Sequence, residues 1–399
     1  MTQLLHVDPD EFLVDTFRLG RKVYLSGFRP RHAISIWRGG TPVGLGVDAF
    51  FRSRGVLVSH TTIATDSYTG IGEQGTVTVK NLEHLVQVIC PEDGLLILDD
   101  VYESGNTIQR VVELLRQMAR SNAPHDIRVA TVHHKPTRSR YDELPLIALK
   151  EIDGSVWIDY PHELADLIDP KDPDDRRIRA KDETIWDILH QGPTAPTELD
   201  VPGDYHYVTS RELLLDCIRL GVNIAHDESF RPDFLLALWP GGVLSGLPVH
   251  EVYKYFLAKR GDNARPPDHI SINTSPTRLS YRSQIVGIEY LGQHINKDDN
   301  VLIIDTTFRA GKLVNDVVIR LKEALRRNLS HRRVRVASVY HNPDDRSTWT
   351  VTPDIKRPDY HVKLVRKEVI YPASVHKLPN PARELKTLDP ALWQVLYGE

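Results

Sequence analysis

The stretch LLILDDVYESGNT, Leu95 to Thr107, runs four aliphatic residues into two carboxylates and then a small polar loop. A buried strand of Leu95–Leu98 would deliver Asp99 and Asp100 to the carboxyl edge of a sheet, where open α/β sheets place their ligands. Glu103 to Thr107 then lead into a helix expected to begin near Ile108. The N–H groups of such a helix start, the Ser104 and Thr107 hydroxyls, and Gly105, which permits close approach, together make a cradle for a phosphate. Two carboxylates beside that cradle suit a sugar phosphate. They can hold ribose hydroxyls and, directly or through water, a Mg2+ on the remaining phosphates. The plainer alternative is a helix N-cap at Ser104 with solvated acids. A second stretch, VLIIDTTFRAGKL from Val301 to Leu313, has the same shape with most of that chemistry replaced.

The likeness extends in both directions. RPRHAISIWRGGTPVGLG (Arg29–Gly46) is echoed by RPDFLLALWPGGVLSGLP (Arg231–Pro248), which sets Arg38 against Pro240. IRVATVHHKP (Ile127–Pro136) is echoed by VRVASVYHNP (Val334–Pro343), and FLVDTFRLG (Phe12–Gly20) by LLLDCIRLG (Leu213–Gly221). Four matches in one order, about two hundred residues apart, argue for a tandem duplication. Within each copy, short aliphatic runs such as ISIW, LLILDD and RVATV alternate with amphipathic patterns such as TIQRVVELLRQMA. That alternation predicts an α/β fold with a mostly parallel sheet. Residues 169–204, rich in charge, proline and glycine, are expected to link a domain at 1–168 to one at 205–399. The apolar segment TIWDILH inside them could pack on either.

A chain of 399 residues exceeds one ordinary core, in keeping with two domains. With 26% charged residues and a net charge of −4, it lacks the basic excess of a nucleic-acid binder. No apolar run is long enough to span a bilayer, and MTQLLHVDPDEF does not read as a signal segment, so no membrane partner and a cytoplasmic location are expected. Cys90 and Cys217 lie in apolar, patterned segments and read as core residues. No histidine spacing of the HExxH type suggests a zinc site.

Taken together, these motifs resemble the type I phosphoribosyltransferase family, in particular its six-oxopurine branch (hypoxanthine, guanine and xanthine). LDDVYESGNT resembles the loop that binds phosphoribosyl pyrophosphate (PRPP). WRGG (Trp37–Gly40) resembles the loop that grips pyrophosphate, with Arg38 in the basic position and Gly39 beside it. DSY (Asp66–Tyr68) resembles the mobile flap, through Ser67 and Tyr68. HKP (His134–Pro136) followed by WIDYP (Trp157–Pro161) resembles the base-binding wall. The resemblance covers residues 7–165 well and the second copy in outline.

The resemblance implies two tandem phosphoribosyltransferase-like domains, each a mostly parallel sheet flanked by helices with a small hood. PRPP would contact Arg38, Gly39, Ser67, Tyr68, Asp99, Asp100 and the loop Glu103, Ser104, Gly105, Asn106, Thr107, with Mg2+ on Asp99 and Asp100. Lys135 would donate to a purine O6 and Trp157 would stack on the ring, with Ile158 next to it. Asp159 would accept from the edge of the base. Departure of pyrophosphate from C1′ and attack by a ring nitrogen would depend on electrostatics and alignment, with Arg38 and the metal neutralising the leaving group. Glu103 stands where the family has an aspartate near the imidazole side of the base, and would take its proton. Each of these residues also has a plain alternative: Trp157 and Tyr68 as packing, Lys135 as a solvated strand-end lysine, Arg38 in a surface ion pair.

In the second copy Asp305 survives. Asp100 is replaced by Thr306, Glu103 by Arg309, Asn106 by Lys312 and Thr107 by Leu313, around Gly311. Lys135 is replaced by Asn342, and Trp157 aligns near Glu368. Such a loop would hold anions without Mg2+, as a second anion site, or serve only as a partner surface. The second copy is therefore expected to be degenerate and to take the place of a second subunit, an intramolecular pseudo-dimer that could further associate. The partners implied are PRPP and a nucleobase or base-like molecule. Two alternatives stay open: a PRPP- or nucleotide-sensing regulator without turnover, and a tandem enzyme with a non-purine acceptor or a second reaction in the C-terminal copy.

Overall fold

The computed structural model describes residues 3–67, 77–169, 171–261, 265–274, 276–277, 280–283, 285, 287–325, 329–345 and 354–398. The first half begins with β1 (Leu4–His6) and α1 (Pro9–Leu25), whose first turn is capped by the Asp8 carboxylate accepting from the Asp10 and Glu11 amides. There follow β2 (His32–Trp37), α2 (Gly40–Ser53), β3 (Ser59–Ser67), β4 (Val77–Lys80), α3 (Glu83–Val88), β5 (Gly94–Tyr102), α4 (Asn106–Ala119), β6 (Asp126–His134), β7 (Leu146–Glu151) and β8 (Trp157–Asp159). Six of these strands form a sheet in the order β4-β3-β2-β5-β6-β7, parallel except for β4. β1 and β8 pair separately, in parallel. β2 is buried along its whole length because helices cover both faces of the sheet, which is why its sequence is nearly continuous in apolar residues.

The second half comprises α5 (Arg176–Lys181), α6 (Glu183–Gln191), β9 (Thr197–Glu198), β10 (Tyr205–Tyr207), α7 (Ser210–Ala225), β11 (Phe234–Trp239), α8 (Gly242–Lys259) and β12 (Asp268–Asn273). After a short antiparallel pair, β13 (Pro276–Thr277) and β14 (Ser280–Ser283), come α9 (Ile288–His294), β15 (Val301–Phe308), α10 (Lys312–Leu325), β16 (Val334–His341), β17 (Tyr360–Leu364), β18 (Glu368–Ile370), α11 (Pro381–Leu388) and α12 (Pro390–Tyr397). Its sheet is all parallel, in the order β12-β11-β15-β16-β17-β9. Around the strand that carries each acidic loop, β5 or β15, the order of neighbours is the same. The expected α/β architecture of mostly parallel sheets flanked by helices is the one observed.

The halves meet with β3 against β12 and α2 against α8. Two ring pairs cross this junction reciprocally. Trp37 stacks on His269 with centroids 4.9 Å apart, and Trp239 stacks on His60 at 4.2 Å. Trp37, Leu45 and Ala64 share one buried cluster with Leu235, Trp239 and Ile304. The apolar core is therefore continuous across the two halves.

Four expectations are corrected by the structure. The segment 169–204 is not bare linker. It forms α5 and α6, whose Ile178, Ile185 and Leu189 pack with Leu214, Ile218 and Val252, and it supplies β9 to the edge of the second sheet. The strand read as Leu95–Leu98 runs on to Tyr102, because β6 pairs with it through Tyr102↔His134. α4 starts at Asn106 rather than near Ile108. Cys217 is buried, but Cys90 is exposed, at a turn where its amide donates to the Asp93 carboxylate.

Candidate functional site

Because β5 continues past its aliphatic run, Asp99 and Asp100 lie on the strand and point to opposite faces. Asp100 is 8% exposed, and its Oδ1 accepts from the Val101 amide at 2.8 Å. The WRGG loop comes down directly on it. A Cβ added to Gly39 would stand 2.0 Å from Asp100 Oδ2, and one on Gly40 would stand 2.3 Å from the Leu98 carbonyl. Only glycines let the loop that carries Arg38 lie against the acid pair. On the other side, Gly105 takes a positive φ of 79° just before α4, and a Cβ there would meet the Tyr102 hydroxyl at 2.3 Å. Ser104 Oγ accepts from the Asn106 amide at 3.3 Å. The sequence joins these two loops only by analogy; the structure packs the WRGG loop on Asp100 and sets Arg38, Gly39 and Thr107 around one cleft.

Burial, reinforced by the charge of Asp100, holds the Asp99 carboxyl well above the usual range. Burial also pushes Asp100 up to about 6, against the opposing pull of the Val101 amide and Arg38. Two neighbours that sequence reasoning missed stand beside them, both just beyond WIDYP. Glu163 is pushed up to about 8 by burial and by the Asp100 charge. His162 is pushed down to about 3 by burial, with Arg38 and Lys181 acting in the same direction. Ligand atoms of Asp100, His162 and Glu163 all lie within 4.8 Å of one another. His162 Nε2 is buried with no hydrogen-bond partner among the described residues. Carboxyls forced toward protonation beside an unpartnered neutral imidazole fit a divalent cation.

Arg38 reaches outward from this cluster. It donates to Asp166 Oδ2 at 2.9 Å, lies 3.9 Å from Glu163, and donates to Glu251 Oε1 at 2.9 Å. Glu251 belongs to α8 of the second half and is 0% exposed. The same Oε1 accepts from Lys254 at 2.9 Å, while Oε2 accepts from the Leu164 and Ala165 amides at 3.3 and 3.1 Å. The signal for it in the sequence is the single carboxylate in the run GLPVHEVYKYF. A cleft of about 800 Å³ opens here, lined by Arg38, Gly39, Asp99, Asp100 and Thr107 from the first half and by Lys254, Arg265 and His269 from the second.

The base wall divides. Lys135 is buried and donates to Glu103 Oε2 at 3.0 Å, so the expected O6 donor and the expected proton acceptor form one ion pair. Trp157 is 53% exposed, its indole available to a ring. Ile158 is buried in the core beside Ala33 and Leu98. Asp159 corrects its expected role. It is 1% exposed, and its two oxygens meet Lys181 Nζ at 2.7 Å and His6 Nδ1 at 2.5 Å, which leaves no edge open to a base. Ser67 ends β3 with its side chain outside the described residues, and Tyr68 lies outside them altogether.

In the second half the strand–loop–helix outline returns, with Gly311 at φ 70° and Asp305 pushed up to about 6 by burial. A cavity of about 320 Å³ is lined by Asp305, Arg309, Gly311, Lys312 and Lys377. Its cations are already paired: Arg309 with Asp345 and Glu368, Lys312 with Asp316, and Lys377 with Glu368. Glu368 stands opposite Tyr205 in the small sheet, as Trp157 stands opposite Leu4.

No family model matches the chain, and no curated protein matches it. Solved structures do. A hypothetical protein from Neisseria gonorrhoeae with bound ppGpp is 20% identical, covering 46% of this chain and 98% of its own, with a TM-score of 0.35. A purine phosphoribosyltransferase from Pyrococcus horikoshii is 19% identical over 40% of this chain and 93% of its own, with a TM-score of 0.31. The xanthine-guanine-hypoxanthine phosphoribosyltransferase of Helicobacter pylori is 20% identical over 40% and 92%, with a TM-score of 0.32. Among the described residues, no helix is long and apolar enough to cross a membrane.

Proposed function

We propose that this chain transfers a 5-phosphoribosyl group from PRPP to a ring nitrogen of a purine-like base and releases pyrophosphate. The chemistry would lie in the domain at 1–168, followed by a connecting segment at 169–204 and a degenerate domain at 205–399. One observation carries the reading: the glycine of the WRGG loop packs on Asp100, so the basic loop, the acid pair and the start of α4 line one cleft.

Each group has a task in the proposed reaction. The open N–H groups at the start of α4, with Thr107, suit the 5-phosphate. Asp99 and Asp100 suit the ribose hydroxyls. Arg38 suits the pyrophosphate, which it would reach by leaving Asp166 at the rim. Asp100 and Glu163, whose oxygens lie within 4.8 Å of one another, are donors of the kind Mg2+ takes, and the bound ion would supply positive charge to the leaving group. Glu103, held by the buried Lys135, would accept the proton from the imidazole side of the base. Trp157 would cover the ring.

Pyrophosphate release in the presence of Mg2+, PRPP and a panel of bases tests this directly. The expected result is turnover with at least one purine-like base, abolished in Asp100→Asn with the fold retained. Unchanged release in that variant would remove the assignment, and tight PRPP binding without release would move the chain to the sensing class.

A further inference from the structure

Two cations of the second half stand in the first half's cleft. Lys254 projects from α8 and Arg265 from the segment before β12, and both line the cavity that holds Arg38, Asp99 and Asp100. Lys254 and Arg38 share one acceptor, Glu251 Oε1, at 2.9 Å each. Two cations bound to one oxygen are neighbours, and both line the cavity, so one anion there lies within reach of both. Arg265 is exposed and forms no ion pair among the described residues.

The charge requirement points the same way. Of the cleft's first-half cations, Lys80 is bonded to Asp268 at 2.8 Å, which leaves Arg38 as the one whose charge acts on Asp100. A single guanidinium is a thin counter-charge for a pyrophosphate whose metal is also satisfying Asp100 and Glu163. The mirror-related side of the junction is built differently. At the 202-residue offset that sets Pro240 against Arg38, Ala49 stands where Glu251 does and Arg52 where Lys254 does. There Arg52 is bonded to Asp48 of its own helix at 2.7 Å. Among the described residues, the crossed cation–carboxylate cluster therefore exists only on the side of the first cleft.

We propose that the second half completes the first half's anion site: Lys254 and Arg265 bind the pyrophosphate group of PRPP together with Arg38. The inference rests on the phosphoribosyltransferase reading. It makes the degenerate half part of the site, so that the first half alone would bind PRPP poorly.

The test uses the full chain and Mg2+–PRPP as the probe, with binding followed by calorimetry for wild type, Lys254→Met, Arg265→Ala and the double variant. Loss of a hydrogen bond to a charged group predicts a rise in Kd of about tenfold or more for each single variant, with base binding unchanged. Charge reversal, Arg265→Glu, should weaken binding further. It also guards against misfolding as an explanation, because Arg265 is exposed. A double variant that binds Mg2+–PRPP like an active wild type overturns the inference and leaves the function intact. A wild type that neither binds Mg2+–PRPP nor releases pyrophosphate overturns the function and the inference together.

Discussion

Replacing Glu251 by glutamine removes one charge at constant shape and should loosen both halves at once. The carboxylate accepts four bonds: two from the Arg38 and Lys254 cations at Oε1, and two from the Leu164 and Ala165 amides at Oε2. An amide side chain has one acceptor oxygen, so Glu251→Gln can serve the cations or the backbone but not both. Its NH2 then faces donors. Two bonds to a charged group are lost, at about 1.5–3 kcal/mol each. Arg38 keeps Asp166, so we expect the low end, about 3 kcal/mol, as for a buried pair broken on one side. Burial alone would raise the Glu251 carboxyl, but the Arg38 and Lys254 charges hold it well below the usual range. For an acid so depressed, the stabilisation is fully present above its unfolded pKa of about 4.3 and is lost as pH falls through the folded value. The gap between wild type and variant should thus be constant from pH 8 to pH 5 and shrink only below about 4.3. Urea unfolding followed by far-UV circular dichroism measures the gap, and hydrogen exchange at the Leu164 and Ala165 amides reports which pair is released. A loss below about 1 kcal/mol at pH 7, with unchanged m, would refute the view that this carboxylate joins the halves.

Three further outcomes follow from the site. Divalent-cation binding should strengthen as pH rises through about 6 and 8, because the raised Asp100 and Glu163 carboxyls must lose protons to ligate; Glu163→Gln should flatten the upper step, and pH-independent affinity in wild type would contradict the cation site. Trp157→Ala should weaken base binding by about 1–3 kcal/mol and PRPP binding less, as measured by calorimetry; equal loss for both ligands would show that the indole is not a stacking surface. Arg309→Ala with Lys312→Ala should leave pyrophosphate release nearly intact, because both cations are already paired with Asp345, Glu368 and Asp316. A collapse of turnover in that pair, with Mg2+–PRPP still bound, would make the second loop a working anion site.

The acidic loop, the WRGG loop and the alternating pattern were legible because their residue types answer to local rules: a glycine where φ is positive, a buried aliphatic strand, a helix start. The closure of Asp159 by Lys181 and His6 was not, because its partners lie in an element read as linker and at the opposite end of the domain. Cys90 misled for the reverse reason. Its neighbours Val88 and Ile89 continue the apolar pattern, but the chain turns there, and the thiol faces outward. Glu251, the one carboxylate in α8, takes on a meaning only with α8 placed against the WRGG loop.

The two junction faces separate packing from chemistry. Packing kept the reciprocity: Trp37 on His269 answers Trp239 on His60, and both rings lie deep in the shared core, where loss would leave a cavity costing several kcal/mol. Charge did not keep it. Arg38 and Glu251 are present as a pair on one side, and Pro240 and Ala49 stand in their places on the other. Losing only one member of a buried pair strands the other charge at about 3–5 kcal/mol, so a side that lacks the carboxylate is stable only when the cation is absent too. The side that retains both, with Lys254 added to the same oxygen, is the one whose cleft also retains Asp99, Asp100 and Thr107. Asymmetry in the ion pairs thus tracks asymmetry in the acidic loops, although the two features lie on different elements and in different halves of the chain.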